Sequence, residues 1–358
     1  MKKKIGIITI FGNFNYGNRL QNYAVSQIVQ DIGYLTETLV LNRRKDTILY
    51  VPGALSLYRF VKGTAKDILE KSRIQCFERF TKKYIPTRYL YLFSKSKLRN
   101  EYEFFVVGSD QIWHPDIEVV SNMVFLPYAR KEQRIALAPS FGLSEIPDEK
   151  KALIRDGLNG FPHLSVREED GARLIKELTG REAEVLVDPT LMLDREQWLE
   201  VAAVPNFPLP KRYIFKYFLG KQTDKQRQDM ERLAQKHGLE IVEIHNKDFP
   251  EYYAIGPSEF LYIIDHADLV CTDSFHACVF SLLFDKPFLI YQRDGDGAGT
   301  TSRIDTLLKT FQLPNRAPDH VSPEQVFWHD YRHAYELLML ERKKVRDFLK
   351  KSMGKGMS

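Results

Sequence analysis

Short runs rich in Val, Ile and Leu alternate with helical stretches along the chain, and this alternation constrains the fold more than any single motif. The runs KIGIITI, ETLVLN, EFFVVGSD, RIALAPS, HLSVRE and EVLVDP occupy the first half. Helical patterns at Asn18–Ile32, in the basic stretch beyond Arg43, at Asp148–Leu158 and at Glu169–Leu178 separate them. After Val204–Pro210, a Pro-rich segment that reads as a linker, the alternation resumes. RYIFKYFL, a helix over Asp224–His237, EIVEIHN, a helix over Pro257–His266, DLVCTD, a helix over Phe275–Phe284 and PFLIYQ follow in turn. Apolar strands alternating with helices mean parallel sheets covered on both faces. The expected fold class is therefore α/β, with two Rossmann-like domains facing a cleft. The expected boundaries are 1–203 for the first domain, with a basic helical insertion at about 43–99, and 211–358 for the second. No GxGxxG follows a strand and no P-loop occurs, so neither dinucleotide nor P-loop nucleotide binding is indicated.

Charge and cysteine usage narrow the functional classes. The net charge of +5 is unevenly placed. Arg43 to Arg99 holds 15 Lys and Arg against 4 Asp and Glu, and Glu341 to Ser358 holds 7 against 2, so the remainder is net acidic. The first basic region is interleaved with Tyr50, Tyr58, Phe60, Phe77, Phe80, Tyr84, Tyr89, Tyr91 and Phe93. That mixture suits an anionic membrane surface, a lipid-linked acceptor or an acidic glycan; the plainer alternative is a solvated helix face. No nucleic-acid-binding motif accompanies it. Tyr335, Leu338, Met339, Val345, Phe348 and Leu349 follow helical spacing, in a helix that docks on the body or lies on a membrane. The cysteines, Cys76, Cys271 and Cys278, form no CxxC pair, which argues against a structural zinc site and fits a reducing cytoplasm. The start MKKKIGIITI reads as a first core strand rather than a signal peptide. The expected location is cytoplasmic, with peripheral contact at the inner face of the cell membrane left open.

Ligands of open α/β sheets gather outside the carboxyl ends of strands, so the residues there are the candidates. Asp273-Ser274-Phe275-His276-Ala277 ends one strand and opens a helix. First-turn N–H groups favour an anion, Ser274 can cap the helix, and His276 brings a titratable imidazole beside that spot. The alternative is that Asp273 or Ser274 only caps and His276 only packs. After the first strand, the loop holding Asn15, Tyr16, Asn18 and Gln21 offers amides that can bind hydroxyl groups. Ser109, Asp110, Gln111 and Trp113 set an indole beside polar groups, a natural sugar contact. Ser140-Phe141-Gly142, Arg167-Glu168-Glu169 and Asp188-Pro189-Thr190 close three more strands. Each alone reads as a turn or cap; their joint placement points to a site.

With these residues in view, the chain resembles the polysaccharide pyruvyltransferase family. The matching features are NYGNRLQNYA (Asn15–Ala24), FFVVGSDQIW (Phe104–Trp113), APSFG (Ala138–Gly142), LSVREE (Leu164–Glu169), VDPTLML (Val187–Leu193), TDSFHA (Thr272–Ala277) and SRIDTLL (Ser302–Leu308). The resemblance implies a fold similar to GT-B glycosyltransferases. It implies transfer of pyruvate from phosphoenolpyruvate to a glycan or lipid-linked oligosaccharide, usually as a cyclic ketal, in capsule, exopolysaccharide or cell-wall synthesis. It implies no metal and no cofactor beyond that donor substrate. Arg167 resembles the family's donor-binding arginine, and His276 matches the motif histidine suited to acid–base work, with Asp110 assisting. Many members have Arg-Leu-His-Gly where this chain has Ser274-Phe275-His276-Ala277, so a cationic donor contact is missing. Arg303 or Lys216 can supply it, or the donor differs. The alternatives are a glycosyltransferase using a nucleotide sugar and a non-catalytic carbohydrate- or anion-binding protein.

Overall fold

The computed structural model describes residues 3–41, 65–90, 95–116, 123–244, 246–293 and 298–354. Much of the basic stretch, with Tyr50, Tyr58, Phe60, Tyr91 and Phe93, lies outside them.

The first sheet is built from β1 (Lys4–Ile8), β2 (Leu35–Leu41), β3 (Thr87–Leu90), β4 (Phe104–Gly108) and β5 (Arg134–Leu137). Its order is β3-β2-β1-β4-β5 and every pairing is parallel. Between strands run α1 (Tyr16–Asp31), α2 (Ala65–Tyr84) and α3 (Lys95–Glu101). Asn15 caps α1 by accepting the Asn18 N–H at 3.3 Å. Gly33, at φ 94°, turns the chain from α1 into β2, a conformation that glycine adopts without a Cβ penalty. The basic stretch is thus not only a helical insertion: β3 lies in it and forms the sheet edge. Its four residues, TRYL, are mostly half-buried, too short for a clear alternating pattern.

The chain continues through α4 (Asp148–Leu158), β6 (Ser165–Val166), α5 (Glu169–Thr179), β7 (Glu184–Val185) and α6 (Arg195–Leu199), with β6 and β7 paired in parallel. A second parallel sheet follows, from β8 (Tyr213–Tyr217), β9 (Glu240–Glu243), β10 (Leu269–Thr272) and β11 (Phe288–Ile290), in the order β11-β10-β8-β9. Its helices are α7 (Asp224–His237), α8 (Pro250–Tyr253), α9 (Pro257–His266), α10 (Phe275–Leu283), α11 (Ala298–Thr310) and α12 (Arg332–Ser352). Both sheets reverse their strand order once, between β1 and β4 and between β8 and β10. Crevices of this kind are where open α/β sheets bind ligands.

Three buried clusters layer the molecule. One covers a face of the first sheet, with Phe105, Val107 and Trp113; another covers the outer face of the second, with Ile214, Leu269 and Cys271. The third lies between them and takes side chains from α1, α2, α9, α10 and α12. In it Tyr16 of α1 stacks on Phe77 at 5.1 Å and on Phe260 of α9 at 4.6 Å. The two sheets therefore share apolar surface, which favours one packed arrangement of the halves. Leu338, Val345, Phe348 and Leu349 of α12 are buried in this shared core, so that helix docks on the body of the protein, while Met339 and Leu340 stay exposed. Arg342 of α12 donates to the carbonyls of Leu191 and Leu193, both at 2.7 Å, and pins a segment of the first half. Among the described residues no helix is long and apolar enough to cross a membrane.

Candidate active site

The carboxyl ends of β4, β6 and β7 converge on one buried carboxylate. Asp188 follows β7 and caps the short 3-10 turn Pro189–Met192. Its Oδ1 accepts the Thr190 N–H at 2.9 Å and the Thr190 hydroxyl at 2.7 Å. Its Oδ2 accepts Arg167 Nη1 at 2.5 Å and lies 2.9 Å from Ser109 Oγ. Arg167 reaches on to Asp110 Oδ1 at 3.4 Å, and Arg303 of α11 stands 3.9 Å from that same oxygen. His276 arrives from the second half, with Nε2 at 3.7 Å from Asp188 Oδ2. The Phe275 ring backs the Arg167 guanidinium at 4.6 Å.

The electrostatics follow from burial. Asp188 loses its hydration, which by itself opposes ionisation; Arg167 and then His276 outweigh this and hold its carboxyl well below the usual range. Burial likewise works against the Arg167 cation, but Asp188 and Asp110 raise it above its ordinary value. Arg303 has the opposite balance: burial and the neighbouring Arg167 push it down to about 10, with Asp110 only partly compensating. Arg303 is therefore a cation at a cost, and a nearby anion would relieve it. A cavity of about 120 Å³ opens here, lined by Arg167, Asp188, Phe275, Arg303, Thr306 and Lys344 among others. Backbone conformation supports the geometry. Asp110 (φ 61°) and Ala138 (φ 50°) sit in the left-handed region at the ends of β4 and β5, which costs a non-glycine residue roughly 1–2 kcal/mol.

The other expected residues fall in different places. Asn15 caps α1, and Asn18 is buried behind it. Gln21 bonds the Asn18 carbonyl at 3.1 Å and the Thr9 hydroxyl. Asn15 Oδ1 and Gln21 Nε2 are thus spent locally, while Gln21 Oε1 has no hydrogen-bond partner among the described residues. Tyr16 is fully buried in the shared core and is not a ligand contact. Trp113 is 2% exposed and packed among Phe125, Phe141 and Phe161, so it is core and not a sugar platform. Gln111 lies against Gly142, where a Cβ would overlap its amide. Ser140 is buried, and its hydroxyl has no partner among the described residues. Lys216 points to the far face of the second sheet and pairs with Glu243 at 3.0 Å, so it does not replace a cleft cation. Ser274 occupies the N-cap position of α10, but its side chain makes no capping bond. Asp273 is instead occupied with backbone, taking the Leu219 and Gly220 N–H groups at 2.7 and 2.8 Å and Arg293 Nε at 3.0 Å.

His276 is buried, and a Cβ on Gly17 would overlap its ring. Position 17, at the start of α1, thus needs glycine for a close approach between the two halves. Asp188, one of the strand-end residues whose joint placement points to a site, sits at its centre, and its DPT pattern is also a capping signal. Two residues, Gly17 and His114, are not among the sequence-based candidates. Gly17 looked like a loop glycine. His114, half-buried after Trp113, is pushed below its ordinary value by burial first, with Asp116 opposing and Arg303 adding to the shift. Among the described residues no three His, Cys, Asp or Glu side chains are grouped to hold a metal ion.

This architecture agrees with a family match. The family model for polysaccharide pyruvyl transferase aligns with residues 15–295, from the cap of α1 to just beyond Arg293. The chain belongs to the polysaccharide pyruvyl transferase family. No match was found among curated proteins. Among solved structures, this family member resembles the S. aureus MnaA–UDP co-structure at 11% identity, covering 99% of this chain and 98% of that one, with a TM-score of 0.50. A UDP-GlcNAc 2-epimerase from Neisseria meningitidis, bound to UDP-GlcNAc, aligns at 12% identity over 98% of this chain and all of that one, with a TM-score of 0.48. Likeness at this level of identity bears on the fold alone, the GT-B-like pairing of two α/β units.

Proposed function

We propose that this protein moves pyruvate from phosphoenolpyruvate onto hydroxyls of a glycan, free or lipid-linked, and closes a cyclic ketal. One observation carries the reading: two buried guanidinium groups, Arg167 and Arg303, converge beside a cavity at the strand ends of a polysaccharide pyruvyl transferase family member. Phosphoenolpyruvate brings a phosphate and a carboxylate, and guanidinium groups bind both with paired hydrogen bonds. Arg303, already destabilised as a cation, gains most from such an anion.

A proton adds to the methylene carbon and makes it a methyl group, leaving the adjacent carbon electrophilic. One sugar hydroxyl adds there, the carbon–oxygen bond to phosphate breaks, and a second hydroxyl closes the ring. Two hydroxyl protons are lost; one is made good at the methyl carbon and one leaves with inorganic phosphate. His276, whose Nε2 faces the anion cluster, is the proposed acid–base group. Asp110 holds the two arginines rather than a reacting atom.

Calorimetry with phosphoenolpyruvate tests this. Wild type should bind it, and Arg303→Met should weaken binding by about tenfold or more, the worth of a charged hydrogen bond. Arg303 suits the test better than Arg167, whose removal would strand two buried carboxylates. Tighter binding of a panel of UDP-sugars, unaffected by Arg303→Met, would favour a glycosyltransferase instead.

A further inference from the structure

Asp188 does more than cap a turn. Its two oxygens have separate duties. Oδ1 is held by Thr190 through both the N–H and the hydroxyl, which fixes the carboxylate plane. Oδ2 is shared among Arg167, Ser109 and, farther off, His276. Two buried nitrogens flank this arrangement without a hydrogen-bond partner among the described residues: Arg167 Nε and His276 Nε2. Buried polar nitrogens are rarely left unpaired. For His276 the nearest carboxylate oxygen is Oδ2 at 3.7 Å, and a shift of less than about 1 Å would make that contact a hydrogen bond. Among the other charged groups, buried Glu168 also faces Arg167 and Arg303 and accepts the Phe141 N–H through Oε1, and Arg303 stands 3.9 Å from Asp110. Asp273 is engaged by Leu219, Gly220 and Arg293.

We propose that Asp188 is a positioning residue that couples anion capture by Arg167 to His276. Without an anion, Asp188 neutralises Arg167. When an anion engages Arg167, Oδ2 is released in part and accepts the His276 Nε2–H. That hydrogen bond fixes the imidazole tautomer, with the proton on the Nε2 that faces the cluster. Donor occupancy and the state of the proposed acid–base group thereby change together. The inference rests on the reading that this cleft receives an anionic substrate, but not on the identity of that substrate.

A double-mutant cycle on inorganic phosphate affinity, measured by calorimetry on the full chain, tests it. Asp188→Asn should tighten phosphate binding by about tenfold, because Arg167 loses a competing charge in a buried site. A residue that only held the fold would weaken binding when changed. His276→Gln should weaken phosphate binding by about threefold in the wild-type background and leave it unchanged beside Asp188→Asn. Equal or weaker phosphate binding by a folded Asp188→Asn, the same His276→Gln factor in both backgrounds, or no phosphate binding by wild type would each overturn the proposal. If Asp188→Asn does not fold, Thr190→Val keeps the charge and frees the carboxylate plane. The His276→Gln effect should then shrink, and an undiminished effect would overturn the coupling. Phosphate binding that follows the expected cycle, with no binding of phosphoenolpyruvate, would remove the proposed donor and leave the role of Asp188 standing.

Discussion

At the ends of β4, β6 and β7 charged side chains chiefly hold one another, whereas at the end of β10 the charged side chain holds two backbone amides besides its one arginine. Asp110, Arg167 and Asp188 form a buried chain of ion pairs in the first half. Asp273, in the second half, clamps the loop after β8 through two N–H groups and Arg293. An ion-pair chain can be reopened by a competing anion, because its partners are interchangeable charges. A carboxylate bound to fixed amides cannot be displaced so easily. The first half thus holds the responsive charges, and the second half contributes single side chains, Arg303 and His276, into a rigid frame.

The largest effect that would sharpen this contrast is on stability. Arg167→Ala leaves two carboxylates buried without their cation and should cost about 3–5 kcal/mol in urea unfolding. Arg303→Met, whose cation burial already opposes, should cost far less; equal losses would break the distinction between the ion-pair chain and the single side chains added to it. Next, Gly17→Ala forces a methyl group into the His276 ring across the two halves, an overpacking cost of about 1–3 kcal/mol that a thermal melt would reveal. The phosphate affinity of that variant should fall with it, since His276 is displaced. Smaller still is Asp273→Asn, which keeps one acceptor for the β8 loop and should cost about 1–2 kcal/mol. Its phosphate affinity should stay within about twofold of wild type if Asp273 is only a clamp, on the scale where tenfold is 1.4 kcal/mol. The last change is the loss of proton linkage, which shows only in acid. Asp188 has a depressed folded-state value, so its stabilisation is complete above the ordinary 3.8 and is lost as pH falls through the folded value. Wild type should therefore lose urea resistance below about pH 4, and Asp188→Asn should show a flatter acid limb.

Much of the architecture was legible because periodicity is a local property. The helices Asp224–His237 and Pro257–His266 have the bounds their patterns suggest, with a Thr223 cap and Gly238 stop on the first. Strand-end loops were identifiable as the place of a site, since parallel strands all expose their carboxyl ends to one side. The role of each residue there was harder to read. Trp113 and Tyr16 have the composition of sugar contacts, yet aromatic burial in two clusters claims them. Lys216 lies on a strand beside the cleft, but the period of two turns it to the opposite face. Asp188 looked like a turn because its local hydrogen bonds are those of a turn.

Alternating apolar runs, turn residues and family motifs thus determined from sequence alone that this is a two-sheet α/β protein with its chemistry at the strand ends. Tertiary structure alone decided which charges meet. Arg167, Asp188, His276 and Arg303 are separated by up to 136 positions, and their interaction depends on distances of a few ångströms in a space from which water is largely excluded. Coulomb energy there depends steeply on separation and burial, and neither is encoded in any short stretch of residues.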